Sequence, residues 1–395
     1  MSLAAAIGRA AMPDLDAALE PIAIGGREAR NRVVCSPIST NMAEADGRVT
    51  DDVVDFYSTM GKAGVGMVTI GGTSVSPEGG VAANGMRIGP DRLNPGLRRL
   101  AHAVRETGAL CSLQVFHVGA QGNTAYTGQP VFGPSPYVCP DIGIEATSLT
   151  EEGIERIEDD FAKAIHTALD CGFDFVELHF GHGYLLHEFL SPVFNRRKDR
   201  FGGGPRKRLR IVRDILDRIE AQVPEAAGRL GARISGNDFQ KNGLTIARNR
   251  DLVGMLDDFG MAYWSVTAGV YETARLKYVH MNKGDYWRYA GKLRAMTKTP
   301  VIAQGGIRTL AQGAAILRDG LGDLFGMAQA LIADPNLIHK TLDGRADAVD
   351  PCIECSRCRY VKRKDLTFDC VLPEAYHPPK MRNLKRRMRR KVAKT

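Results

Sequence analysis

Eight short apolar runs, separated by helical patterns, constrain what this chain can fold into more than any other feature. They fall at residues 32–36, 66–71, 110–116, 174–179, 231–235, 263–267, 300–304 and 323–327. Strands this uniformly apolar are buried on both faces, and helices between most of them, such as 150–171 and 206–223, supply the cover. The arrangement predicts an α/β fold in which parallel strands close into a (β/α)8 TIM barrel. A hairpin is expected at 21–32, and the Gly-, Pro- and Tyr-rich stretch 118–150 is expected to lie over the barrel mouth. With 395 residues, 44% hydrophobic and 25% charged, the chain can bury a core of that size. The expected division is a barrel over 1–345, a short cysteine-rich segment over 346–379 and a basic tail over 380–395.

Past the last strand, Cys352, Cys355 and Cys358 form a C-x2-C-x2-C loop, and Cys370 follows after eleven residues. Such a loop can set three thiolates around one face of an iron–sulfur cube, which a later cysteine closes. Structural zinc more often takes two separated C-x2-C knuckles, so a [4Fe-4S] cluster is the leading reading and zinc the competing one. Cys35, Cys111, Cys139 and Cys171 are scattered in apolar surroundings and read as small core residues, not disulfides.

The formal charge is +8, but nine Lys or Arg and no acid lie within 380–394, which leaves the body of the chain close to neutral. A run of that kind is first a solvated end and second a dock for an acidic partner. Nucleic acid is not expected, because its sites spread basic residues over a folded face. No stretch approaches the roughly 20 apolar residues of a membrane helix, and Arg9 interrupts the N-terminal apolar patch. No membrane is expected, and a cytoplasmic address suits an oxygen-sensitive cluster. No G-x-G-x-x-G follows a strand with an acid about 20 positions on, so no dinucleotide-binding domain is read.

Barrel enzymes react at the C-terminal ends of their strands. There, HFGHGYLLHEFLSP places His179, His182 and Tyr184 within six residues as the chain leaves the fourth strand. Two imidazoles can donate to one substrate oxygen, and a phenol with an ordinary pKa of about 10 still holds its proton at neutral pH. Taken alone, the two histidines could equally be metal ligands or satisfied surface groups.

The longer stretch HFGHGYLLHEFLSPVFNRRKDRFGG resembles the signature of the Old Yellow Enzyme family of FMN-dependent ene-reductases. NRVVCSPIST is similar to that family's first-strand flavin motif, LQVFHVG to its third-strand glutamine motif, AQGGIRT to its seventh-strand phosphate loop and ALIADPNL to the segment after strand eight. The resemblance implies FMN across the barrel mouth, with Ser36, Pro37, Ile38 and Ser39 along its redox face and Gly72 and Gln114 at its pyrimidine edge. It puts Arg233 near N1, where a cation favours the reduced ring, and Gly305 and Gly306 at the phosphate, where only glycine permits close backbone approach. Where the family reads Gly-Arg beside that phosphate, this chain reads Ala328-Gln329, which removes a charge.

The implied reaction is reduction of a carbon–carbon double bond conjugated to a carbonyl, in an enoate or enoyl thioester among others. His179 and His182 would hold the carbonyl oxygen and Tyr184 would protonate the α-carbon. The cysteine segment resembles that of 2,4-dienoyl-CoA reductase, 2-enoate reductases and trimethylamine dehydrogenase, which continue into two nucleotide-binding domains; their N-terminal module alone is expected here. Electrons would come from NAD(P)H or from a redox partner protein acting through the cluster, and a homo-oligomer is expected. Two alternatives stand beside this: an amine dehydrogenase or demethylase discharging through the cluster, and a zinc-stapled barrel with an RNA-binding tail.

Overall fold

The computed structural model describes residues 15–355, 357–359, 369–372 and 374–378; the basic tail expected at 380–395 lies outside them. Eight parallel strands close into a barrel in chain order: Val33–Cys35, Met67–Ser74, Leu110–Phe116, Phe175–Phe180, Leu230–Ser235, Tyr263–Thr267, Val301–Gln304 and Leu324–Met327. Every apolar run read from the sequence is one of these strands. Their residues are almost all buried, inward against each other and outward against the helices.

The hairpin Ile22–Ile24 and Arg27–Ala29 pairs antiparallel and closes the barrel floor. Its Ile24 and Ala29 pack with Val34, Met67, Phe175 and Tyr263. Gly25 makes the turn at φ +49°, where a Cβ would stand 2.0 Å from the carbonyl oxygen of Gly228, so no other residue fits without a shift.

Helix Glu151–Asp170 shows how the cover is specified. Thr150 Oγ1 accepts from the Gly153 amide at 3.0 Å and caps the first turn, while Glu151 and Glu152 complement the helix dipole. Ile154, Ile157, Phe161 and Ile165 recur at helical spacing on the buried face. The stretch 206–223 is two helices, Pro205–Arg208 and Arg210–Gln222, because Leu209 at ψ −7° does not carry the α-helix through. The connection 118–150 is more ordered than a plain loop. It contains the short strands Phe132–Gly133, Tyr137–Val138 and Glu145–Ser148, and Ala120, Val131 and Ala146 give it a small core of its own.

Residues after the cysteine loop dock on the barrel. The buried Tyr376 ring lies 4.9 Å from Phe56, its hydroxyl donates to Asp55 Oδ2 at 2.9 Å and its amide donates to the Ile332 carbonyl at 2.9 Å. Cys35, Cys111, Cys139 and Cys171 are buried and unbridged, as expected of core residues. Among the described residues no helix is long and apolar enough to cross a membrane.

His117, just past the third strand, is buried, and its Nδ1 accepts from the Gly119 amide at 3.0 Å. Burial pushes its pKa down to about 4, with Glu78 opposing the shift and Arg156 adding to it. An unfolded histidine titrates near about 6.5, so the unfolded chain takes up the proton first as pH falls. The stabilisation is therefore whole above that value and is lost between it and the folded value of about 4. We expect urea melts of His117→Gln to show about 3 kcal/mol less acid-dependent loss across this window. A profile parallel to wild type would show that His117 does not carry the acid sensitivity.

Candidate active site

Side chains two apart on a strand share a face, so Glu177 with His179, Arg233 with Ser235, and Ser265 with Thr267 enter the barrel interior together. The register sets Arg233 against His179 on one side and Ser265 on the other, and sets Gln114 against Glu177. A buried polar layer results. Gln114 Nε2 donates to Glu177 Oε1 at 2.6 Å, Gln304 Nε2 donates to Ser265 Oγ at 2.7 Å, and Arg233 Nη1 donates to Gln304 Oε1. Burial raises the pKa of the Glu177 carboxyl and lowers that of Arg233, each opposed by the charge of the other. Arg233 Nε is buried and has no hydrogen-bond partner.

At the strands' C-terminal ends lies a cavity of about 620 Å³, with His182, Tyr184, Thr267 and Tyr271 in its wall. The chain leaves the fourth strand through His182 at φ +62°, a left-handed conformation that costs a non-glycine residue roughly 1–3 kcal/mol. That turn brings His182 Nδ1 to 3.1 Å from His179 Nε2 and His182 Nε2 to 2.8 Å from Thr267 Oγ1. His179 Nδ1 accepts from the Gly181 amide at 3.0 Å, so the neutral ring carries its proton on Nε2, aimed at His182. A hydroxyl can donate or accept, so Thr267 suits either tautomer of His182. While His179 Nε2 donates to His182 Nδ1, the His182 proton sits on Nε2 and goes to Thr267 Oγ1; once that mutual hydrogen bond opens, Thr267 can donate to Nε2 instead, leaving His179 Nε2 and His182 Nδ1 both as donors to an entering oxygen. The Tyr184 ring stands 4.9 Å from His179 and packs 5.2 Å from Phe116, with its hydroxyl 3.4 Å from that of Tyr271.

Most residues chosen from the sequence meet here. Ser36, Pro37, Ile38, Ser39, Arg233, Gly305, Gly306, Ala328 and Gln329 all face the cavity. Gly72 faces a smaller cavity of about 210 Å³, whose wall shares Ser39. Gln114 and His179 are buried, at 5% and 3% exposure, behind the wall. Gly305 and Gly306 adopt φ +95° and +70°, and a Cβ on Gly306 would stand 2.9 Å from the Met281 carbonyl oxygen, so the loop is open only to glycine. Glu177, Thr267, Tyr271, Gln304 and Arg308 were not chosen. Glu177 stands two residues before His179 on its strand, and Gln304 and Arg308 lie within the AQGGIRT stretch already read as a phosphate loop; no such signal pointed to Thr267 or Tyr271.

The cysteines are less gathered. Cys352 and Cys358 face the same cavity, Cys355 is exposed and Cys370 is buried. Burial raises the pKa of the Cys370 thiol, and Cys355 and Cys352 lie near enough to add to the shift. Among the described residues no three His, Cys, Asp or Glu side chains are placed to hold a metal ion, so neither the iron nor the zinc site is assembled there.

The chain belongs to the NADH:flavin oxidoreductase / NADH oxidase family, which it matches over residues 18–348. It is 36% identical over 343 residues to a metal reductase of Desulforamulus reducens, covering 85% of this chain and 50% of that protein. To an NADH oxidase of Thermoanaerobacter brockii it is 33% identical over 338 residues, covering 84% and 52%. The chain thus spans about half the length of these curated relatives. Its fold superposes on 2-naphthoyl-CoA reductase in complex with 2-naphthoyl-CoA with a TM-score of 0.85 at 24% identity, over 90% of this chain and 56% of that one. The resemblance to Old Yellow Enzymes is confirmed at the level of family and fold. The family implies FMN, and the residues present fit it: the partnerless Arg233 Nε calls for an acceptor from the cavity, and the Gly305–Gly306 turn leaves backbone exposed to a phosphate.

Proposed function

We propose that this chain is an FMN-dependent ene-reductase for a carbon–carbon double bond conjugated to a carbonyl, with enoates and enoyl thioesters as the substrate class. The carrying observation is the pair of ring nitrogens, His179 Nε2 and His182 Nδ1, which lie 3.1 Å from each other beside the Tyr184 ring. When bound, FMN supplies the hydride. His179 and His182 hold the carbonyl oxygen and stabilise the charge that develops on it; a preorganised donor of this sort is worth roughly 3–4 kcal/mol. Tyr184 delivers the proton to the α-carbon. Ser36, Pro37, Ile38 and Ser39 pack along the flavin, Gly72 and Gln114 meet its pyrimidine edge, and Arg233 offers it a charge-assisted hydrogen bond. Gly305, Gly306, Ala328 and Gln329 surround the phosphate.

The NADH oxidase among the relatives supports a nicotinamide donor. Cys352, Cys355, Cys358 and Cys370 hold a [4Fe-4S] cluster in this reading, supported by their spacing and by the nearness of Cys370 to Cys355 and Cys352. A redox partner protein and a homo-oligomer are further parts of it, carried by the family resemblance. The test is anaerobic purification followed by a visible spectrum, iron and sulfide assay, and mixing with NADPH and then a cyclic enone. We expect flavin bands with an iron–sulfur shoulder, about four iron and four sulfide per chain, bleaching by NADPH and recovery with the enone. A colourless protein, or a flavoprotein that the enone never reoxidises, would sink the proposal; one zinc without sulfide would remove the cluster alone.

A further inference from the structure

Arg233 and Arg308 are the two arginines among the described residues lining the large cavity, and no lysine joins them. Arg233 is committed to the polar layer through Gln304 and the charge of Glu177. Arg308 sits two residues past Gly306, on the glycine loop itself. Its amide donates to Gln312 Oε1 at 2.8 Å, and Thr309 and Gln312 cap helix Leu310–Arg318, so the main chain here is tied down. Its guanidinium folds back on the loop, with Nη1 donating to the Gly306 carbonyl at 2.9 Å and Nη2 paired with the Glu354 carboxylate. Glu354 lies between Cys352 and Cys355, held at φ +58°, and Asn282 Nδ2 also donates to it at 3.4 Å. The side chain of Arg308 is 25% exposed and that of Glu354 46%.

An anion entering the glycine turn therefore meets one described cation, and that cation already holds a carboxylate from the cysteine segment. A guanidinium suits a phosphate, which it can meet with two parallel N–H donors. We propose that Arg308 is the cation for the flavin phosphate, filling the role left vacant by Ala328-Gln329, and that Glu354 competes with the phosphate for it. The cysteine loop and the flavin thus contend for one charge. This rests on the FMN reading above.

The experiment titrates flavin-depleted full-length protein with FMN and with riboflavin, which lacks the phosphate, by flavin fluorescence quenching, in wild type, Arg308→Gln, Arg308→Lys and Glu354→Gln. Expected is an FMN Kd raised about 10–100-fold in Arg308→Gln with riboflavin unmoved, and a smaller loss in Arg308→Lys. Removing the competitor in Glu354→Gln should tighten FMN about 2–5-fold and leave riboflavin alone. Equal weakening of both flavins by Arg308→Gln would show a structural role and overturn the proposal, as would an unchanged FMN Kd. Weaker FMN binding in Glu354→Gln would overturn the competition. Wild type that binds FMN no better than riboflavin sinks the Arg308 assignment only; wild type that binds neither sinks the flavin reading and this proposal with it.

Discussion

Tyr184→Phe slows the enone-consuming half-reaction about 10²–10⁴-fold and leaves reduction by nicotinamide at the wild-type rate. The asymmetry follows from where the phenol stands. Its ring is wedged between Phe116, at 5.2 Å, and His179, at 4.9 Å, and phenylalanine keeps both contacts. What is removed is the hydroxyl, 3.4 Å from that of Tyr271, and with it the proton for the α-carbon. Stopped-flow measurement of the two half-reactions separates the cases. Equal slowing of both would mean that Tyr184 positions the flavin and protonates nothing.

The second large effect belongs to the histidine pair. Replacing both His179 and His182 with Ala should lower kcat for an enone by roughly 10²–10³-fold, the loss typical of an oxyanion donor. It should also abolish tight binding of phenolates, whose oxygen mimics the charged product of hydride addition. Because the rings hydrogen-bond each other at 3.1 Å, each single variant should cost nearly as much as the double one. Phenolate affinity unchanged in the double variant would show that the pair is not where the carbonyl oxygen sits.

These expectations differ in how far the sequence reached toward them. His179, His182 and Tyr184 stood out because three polar groups gather at a strand end that only needs to pack, and their roles came from the family resemblance. Gly305 and Gly306 were reached through the resemblance of AQGGIRT to a phosphate loop, and the structure adds that their backbone leaves no room for a side chain. The four cysteines were legible as a pattern, yet their chemistry was not settled by it, since closing a metal site depends on where a segment far along the chain docks.

The sequence alone determined the barrel. Near-continuous apolar strands, a helical stripe between them and a capping Thr150 are local signals, each written within a few residues, and together they admit one closed arrangement of eight parallel strands. Only the tertiary structure decided which polar residues became a site. Glu177 acts on Gln114 across 63 residues and Arg233 on Gln304 across 71, and Arg308 meets Glu354 from beyond the last strand. Such pairs depend on strand register and loop docking, which are set by the packing of the whole barrel, and no window of neighbouring residues contains them.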